Sequence, residues 1–350
     1  MIFQEIGSKD LFKKLKTTAA VLFKTKSKLK LVNLEIPKLS KGQVLVKLSY
    51  SGICRSQIME ISGQRGKDKW LPHLLGHEAV GHVISIGKNV KKVKKNDNVI
   101  LSWIKGKGIE AKGAVYKYQD ININSGPITT FSKYTIVSEN RVYKINKTQN
   151  KKLSVLCGCA LPTGYGMAHN ELKIKTNDKR SILVFGLGGI GLSTLMALKE
   201  KNVKDVTVID KSIFKLNFAK QLGYNTYSNT EKLDKKFDIA IESAGKVSTI
   251  EKAFSLIKTN KGKLVFASHP KKNQKISIDP HELISGKSIK GSWGGGFNLD
   301  KNLNILLNNI KKLNKYYDQI LPKVYKLQEI NEAIKDIKNN NVFRAIIKFD

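Results

Sequence analysis

The sequence predicts a two-part α/β protein, in which an antiparallel β-rich portion precedes a parallel sheet covered by helices on both faces. Three observations carry this expectation. From Thr17 to about Val142, short alternating runs such as Val44-Leu45-Val46-Lys47-Leu48 and Gly81-His82-Val83-Ile84-Ser85-Ile86 are broken by glycine and lysine-rich turns, the pattern of half-buried antiparallel strands. After Leu161 the pattern becomes apolar strands alternating with helical segments: Ile182 to Phe185, a helix to Lys201, Val206 to Ile209, a helix near Lys215 to Leu222, then Phe237 to Ile241. The chain has 350 residues, 41% of them hydrophobic, enough for about two domains with a full core each. A helix with apolar positions Leu327, Ile330, Ile334 and Ile337, followed by a strand from Val342 to Phe349, closes the chain.

The formal charge of +35 raises an anionic partner as a question. Arginine, however, stands only at positions 55, 65, 141, 180 and 344, and the lysines are spread through every segment. Phosphate and base recognition leans on arginine's bidentate fork, so a lysine-rich solvated surface is expected, with no specific nucleic acid and no membrane as partner. Three cysteines, Cys54, Cys157 and Cys159, are too few for a disulfide framework, which points to a reducing cytoplasm. Residues 1–16 carry charges early and no apolar core of a signal peptide. Ser181 to Leu198 is uncharged and about as long as a membrane span, but its closely spaced glycines have a different explanation.

Ile182-Leu183-Val184-Phe185 leads into Gly186-Leu187-Gly188-Gly189-Ile190-Gly191, followed by an apolar helical run through Leu192, Leu195 and Leu198. In this G-x-G-x-x-G spacing the first glycine permits a tight turn and the second lets the backbone approach a pyrophosphate. The third lets helix and strand pack closely, and the pyrophosphate sits on the positive end of the helix. The next strand ends in Asp210, nineteen residues beyond Gly191. An acid there accepts hydrogen bonds from ribose hydroxyls and opposes a 2′-phosphate, so NAD is expected. Lys215, nearby, is a further candidate for the ribose or adenine.

Cys54 lies in Gly52-Ile53-Cys54-Arg55-Ser56, His77 in Gly76-His77-Glu78-Ala79-Val80-Gly81, and Cys159 in Cys159-Ala160-Leu161-Pro162-Thr163-Gly164-Tyr165-Gly166. Two thiolates and an imidazole form a catalytic zinc set that leaves a fourth position open. No two of them are close in sequence, so by spacing alone a buried histidine with two inert cysteines would be the default.

Together with the glycine fingerprint, these flanking words closely resemble zinc-containing medium-chain alcohol dehydrogenases, from about Thr17 to Phe349 and including Val342-Phe343-Arg344. The resemblance implies a GroES-like catalytic domain over residues 1–160, a Rossmann NAD-binding domain over 161–293, and a return to the catalytic domain over 294–350. It implies that Cys54, His77 and Cys159 hold zinc, with Glu78 a nearby carboxylate able to replace water at the metal. It further implies that Ser56 hydrogen-bonds the substrate hydroxyl, that Thr163 lines the site, and that Arg55 and Arg344 meet the cofactor pyrophosphate. Cofactor contacts would come from Gly186, Gly188, Gly189, Ile190, Gly191, Asp210 and Lys215. The reaction would be hydride transfer between an alcohol, polar or anionic, and NAD, with zinc lowering the alcohol's pKa. A homodimer or homotetramer is expected by the same analogy.

The chain also departs from the pattern. Where many relatives hold a second, structural zinc with four cysteines, Ser102 to Thr130 contains none, so one zinc per chain is expected and a lobe reshaped over Lys105 to Tyr118. Met59 stands where liver-type enzymes place a relay histidine, and Gln57 where many relatives have an aspartate orienting the metal ligands. Trp103 and Arg65 are candidates for the pocket wall, and Cys157 for a packed apolar residue. Two other readings compete: a zinc-free quinone or enone reductase of the same fold, and a basic nucleic-acid-binding protein built on it.

Overall fold

The computed structural model describes residues 15–147, 150–231 and 233–349; most of residues 1–16, where a signal peptide was considered, lies outside them. The chain divides into two compact units, Met1–Gly158 with Pro322–Asp350, and Cys159–Leu321.

The first unit is β-rich. Strands Lys16–Leu22, Lys30–Glu35, Val115–Tyr118, Ile121–Asn124 and His73–Leu74 close into a small barrel. Beside it a seven-stranded sheet is built on Gln43–Ile53, which pairs antiparallel with Glu78–Ile86, Tyr134–Ser138 and, from the far end of the chain, Ala345–Lys348. The alternation of a strand explains how one segment serves two cores. Val44, Val46 and Leu48 enter one apolar cluster with Val83, Val99 and Ile347. Leu45 enters another with Val21, Leu34, Tyr116 and Ile123.

The cysteine-free lobe is held by side-chain to backbone hydrogen bonds. Glu139 Oε1 accepts from the Lys91 and Lys92 N–H groups at 2.6 and 2.8 Å, and its Oε2 accepts from Ile109 N–H at 2.8 Å. Ser138 Oγ accepts from Ala111 N–H and donates to Ile109 O. Tyr143 donates to Ile104 O, and Arg141 to Trp103 O. Four residues of one short segment thus fix a loop that has little regular structure of its own until Val115.

The second unit is a six-stranded parallel sheet in the order Asn225–Tyr227, Val206–Ile209, Ile182–Phe185, Ile239–Glu242, Lys263–Phe266, Ser288–Gly291. Numbered along the chain this is 3-2-1-4-5-6, the strand order of a doubly wound dinucleotide-binding sheet. The uncharged stretch over residues 181–198 is divided between the strand Ile182–Phe185 and the helix Gly189–Glu200. Among the described residues no helix is long and apolar enough to cross a membrane.

The expected return at residue 294 differs from the structure, where the chain leaves the second unit at Leu321. Helix Leu299–Lys312 buries Leu303, Leu306, Leu307 and Ile310 there, and Asn309 Nδ2 donates to Glu200 at 3.0 Å. Its apolar stripe belongs to the nucleotide-type unit. From Pro322 on, the chain rejoins the first unit with Lys323–Lys326, the short turn Leu327–Glu329, helix Ile330–Lys338 and Ala345–Lys348.

Burial pushes the Glu139 carboxyl up, but its three backbone donors prevail and hold it below the usual carboxylate range. Replacing Glu139 with Ala strands those donors, and a loss of about 2–4 kcal/mol is expected in urea denaturation at neutral pH. A depressed folded-state pKa means this stability is present above the ordinary glutamate value of about 4.3 and is lost as pH falls through the lower folded value. The difference between wild type and Glu139→Ala therefore shrinks on the acid side, and a gap that stays constant below pH 4 would contradict the clamp.

Candidate metal centre

Three segments bring the sulfur and nitrogen donors together. The strand Gln43–Ile53 ends at Cys54, which caps the helix Arg55–Ile61. His77 stands between Gly76 and the start of strand Glu78–Ile86. Cys159 is joined by its peptide bond to Gly158, whose carbonyl accepts a 2.6 Å hydrogen bond from Ser102 Oγ, so the chain is pinned one residue before the thiol. The ligand atoms of Cys54, His77 and Cys159 lie within 4.8 Å of one another. Ligands at zinc's bond lengths sit roughly 3.3–3.8 Å apart around a tetrahedral ion, so small side-chain rotations close the set. Two thiols, one imidazole and no fourth protein donor in the group match a soft cation with an open position.

Gln57 braces this set. Its Oε1 accepts from the Cys54 backbone N–H at 2.7 Å, and its Nε2 lies 2.6 Å from His77 Nδ1. The first contact is the reach-back of a capping box, from the third helical residue to the cap. His77 is half-buried, and desolvation pushes its pKa down, but the hydrogen bond to the Cys54 side chain and the charges of Cys54, Glu78 and Glu60 prevail and raise it.

Glu78 is fully buried, and Arg344 donates to its Oε1 from Nη2. Two glycines make room for the carboxylate. A Cβ on Gly52 would meet Glu78 Cδ at 2.6 Å, and one on Gly158 would meet Glu78 Cβ at 2.7 Å and Leu101 O at 2.5 Å. Glu78 was expected beside the metal and Arg344 at the cofactor pyrophosphate; in this structure the two meet each other. Burial pushes the Glu78 carboxyl up against the pull of Arg344.

Ser56 Oγ is buried without a hydrogen-bond partner among the described residues, as a hydroxyl awaiting a ligand would be. Thr163 is buried and donates to Cys159 O at 2.9 Å, one helical turn back. Arg55 is exposed at the first position of its helix, and Met59 is buried on the same helix. Arg65 lies 3.6 Å from Glu60, and the Trp103 ring centre is 6.4 Å from that of His77. Cys157 is fully buried, and burial pushes its thiol up, away from the reactive thiolate.

In the second unit, Gly186 has φ +93°, and a Cβ on Gly191 would meet Gly186 O at 2.0 Å. A Cβ on Gly188 would meet nothing within 4 Å. Protein packing therefore does not demand that middle glycine, whereas a ligand lying on the loop would. Gly189, Ile190 and Gly191 form the first turn of helix Gly189–Glu200, whose exposed N–H groups suit a pyrophosphate. Asp210 Oδ2 accepts from Leu187 N–H at 2.6 Å and its Oδ1 from Ser212 N–H at 2.9 Å, so the acid braces the glycine loop. Lys215, expected near the ribose or adenine, is buried on helix Ile213–Gln221.

The contacts of Glu139, the pairing of Glu78 with Arg344 and the double contact of Gln57 are features that sequence reading missed. Cys54-Arg55-Ser56-Gln57 does carry a signal for the last of these, since a glutamine three residues after a cap is the capping-box pattern.

Comparison with known proteins agrees with this architecture. The family described as alcohol dehydrogenase GroES-like domain matches residues 40–147, and that described as zinc-binding dehydrogenase matches residues 189–311. An S-(hydroxymethyl)glutathione dehydrogenase from Escherichia coli (strain SMS-3-5 / SECEC) is 27% identical over 96% of this chain and 100% of its own. Among solved structures, an alcohol dehydrogenase zinc-binding domain protein from Burkholderia ambifaria superposes with a TM-score of 0.85 at 22% identity, covering 96% of this chain and 99% of that one. Benzyl alcohol dehydrogenase from Acinetobacter calcoaceticus does so with 0.83 at 24% identity, covering 96% and 100%.

Breaking the buried pair has a calculable consequence. Arg344→Met leaves the Glu78 carboxylate without its cation and is expected to cost roughly 3–5 kcal/mol in chemical denaturation. Adding Glu78→Gln to it should restore part of that loss, because the uncompensated charge is gone; a double variant as unstable as the sum of the singles would refute the pairing.

Proposed function

Because the chain belongs to the zinc-containing medium-chain alcohol dehydrogenase family, we propose that it transfers a hydride between an alcohol, or the matching carbonyl, and NAD. The observation that carries this reading is the convergence of Cys54, His77 and Cys159, with the unpartnered Ser56 hydroxyl two residues from the first of them. A zinc ion held by these three residues would supply Lewis acidity toward an alcohol or carbonyl oxygen. A zinc-free reductase of the same fold has no use for a converged Cys, His, Cys set.

The chain's own residues divide the remaining work. Ser56 Oγ takes the proton of the substrate hydroxyl during oxidation and returns it during reduction. Met59, buried on the same helix, has no group that could take the proton onward, so water would have to carry it. Gly186, Gly188 and the first turn of Gly189–Glu200 would receive the pyrophosphate. The Asp210 carboxylate, held by Leu187 and Ser212 N–H groups, supports NAD by opposing a 2′-phosphate. Arg344 acts one step removed, neutralising Glu78 behind the donors.

A polar or anionic alcohol is the substrate class we favour. The Escherichia coli relative is named for such a substrate, S-(hydroxymethyl)glutathione, and the +35 net charge draws anions by long-range attraction. The reducing environment that keeps Cys54 and Cys159 able to ligate agrees with a cytoplasmic enzyme.

Removing the Ser56 hydroxyl tests the proton role. Ser56→Ala is expected to lower kcat/KM for NAD-linked alcohol oxidation by about 10²-fold or more while bound zinc is retained, measured by steady-state kinetics alongside metal analysis. Unchanged turnover would remove Ser56 from the mechanism.

A further inference from the structure

Gln57 presents a chemical conflict that the bound metal would have to resolve. The side chain is 1% exposed, so water does not serve it. It has one acceptor and one donor group, and both are in use. The oxygen accepts from the Cys54 N–H at 2.7 Å, and the nitrogen sits 2.6 Å from His77 Nδ1. The Cys54 N–H is always a donor, which fixes the oxygen to that side. His77 Nδ1 must then be the acceptor, and a neutral ring carries its proton on Nε2, in keeping with a ring hydrogen-bonded to the Cys54 side chain.

A histidine that gives its Nε2 lone pair to a metal needs the opposite tautomer, with the proton on Nδ1 and an acceptor facing it. Turning the carboxamide over supplies that acceptor but sets the NH₂ group against the Cys54 N–H, donor to donor. Whichever way it faces, the oxygen meets only one of the two donors and the NH₂ group meets the other. A carboxylate at this position would serve both.

We infer that Gln57 is a positioning residue that holds His77 in the non-coordinating tautomer, so that capture of the metal requires this buried carboxamide to turn over and leaves the site a weaker, more readily exchanged holder of zinc than its donor set alone would make. The inference rests on the metal centre proposed above and concerns how tightly that centre is loaded, not which reaction it serves.

The ¹⁵N spectrum of His77, assigned with a His77→Gln variant and recorded at pH 8 on metal-free and zinc-loaded protein, reads the tautomer directly. Competition with a chromogenic chelator reads the zinc Kd without any turnover. In the metal-free wild type the proton should lie on Nε2, and zinc should move it to Nδ1. Gln57→Glu should place it on Nδ1 before metal is added and tighten zinc binding by about 10–100-fold. Gln57→Met, which holds neither tautomer, should bind zinc no more weakly than the wild type, and this separates the tautomer effect from the added charge of glutamate. A metal-free wild type with the proton on Nδ1, or a Gln57→Met chain weakened about 10-fold, would overturn the inference. A wild type that binds no zinc at all would remove the metal centre and this inference with it, whereas zinc bound with the wrong tautomer pattern would overturn only the latter.

Discussion

One strand, Gln43–Ile53, sets the position of nearly every group in the first unit that bears on chemistry. Its register against Glu78–Ile86 pairs Ser51 with Ala79, which places Glu78 and His77 beside its C-terminal end. Its register against the last strand pairs Ile53 with Ala345, which brings Arg344 to the same place. A slip of one residue would turn every side chain of the strand to the other face. Val44 and Leu45 would then exchange cores, so the packing that holds the register also holds Cys54, Glu78 and Arg344 in common. Cys54 and His77 need no local sequence proximity because this pairing supplies spatial proximity.

Behind Cys54 and His77 the structure concentrates buried polar groups and pairs several of them. Glu78 is held by Arg344 in a space that Gly52 and Gly158 leave open. Gln57 spans Cys54 and His77, and Ser102 ties down the residue before Cys159. Such contacts cost desolvation and return it only when complete. Glu78 Oε2 and the Ser56 hydroxyl lack a partner among the described residues, the latter on the helix that Cys54 begins. The unpartnered Ser56 hydroxyl is the observation on which the proposed contact with a substrate oxygen rests.

Much of this was legible in the sequence, for reasons that differ by element. The parallel sheet followed from period and punctuation, since Ile182 to Phe185, the glycine run and the apolar helix after it are contiguous. The convergence of Cys54, His77 and Cys159 was legible through the words around them and not through their spacing. The Glu139 clamp was not legible because its partners are 30 to 48 residues away, and a buried acid looks like any other until its backbone donors are placed. The end of the second unit was misjudged because the apolar stripe of Leu299–Lys312 announces burial without saying against which core. The pairing of Glu78 with Arg344 spans 266 residues and depends on the final strand returning to the first sheet.

The central claim is that Cys54, His77 and Cys159 form one zinc centre on which NAD-linked alcohol chemistry depends. Metal content per chain, measured on protein purified without chelator and compared with Cys54→Ser, tests it most directly. The account predicts one zinc per wild-type chain, lost together with NAD-dependent alcohol oxidation in the variant. A metal-free wild type that retains nicotinamide-dependent reductase activity toward enones would contradict it.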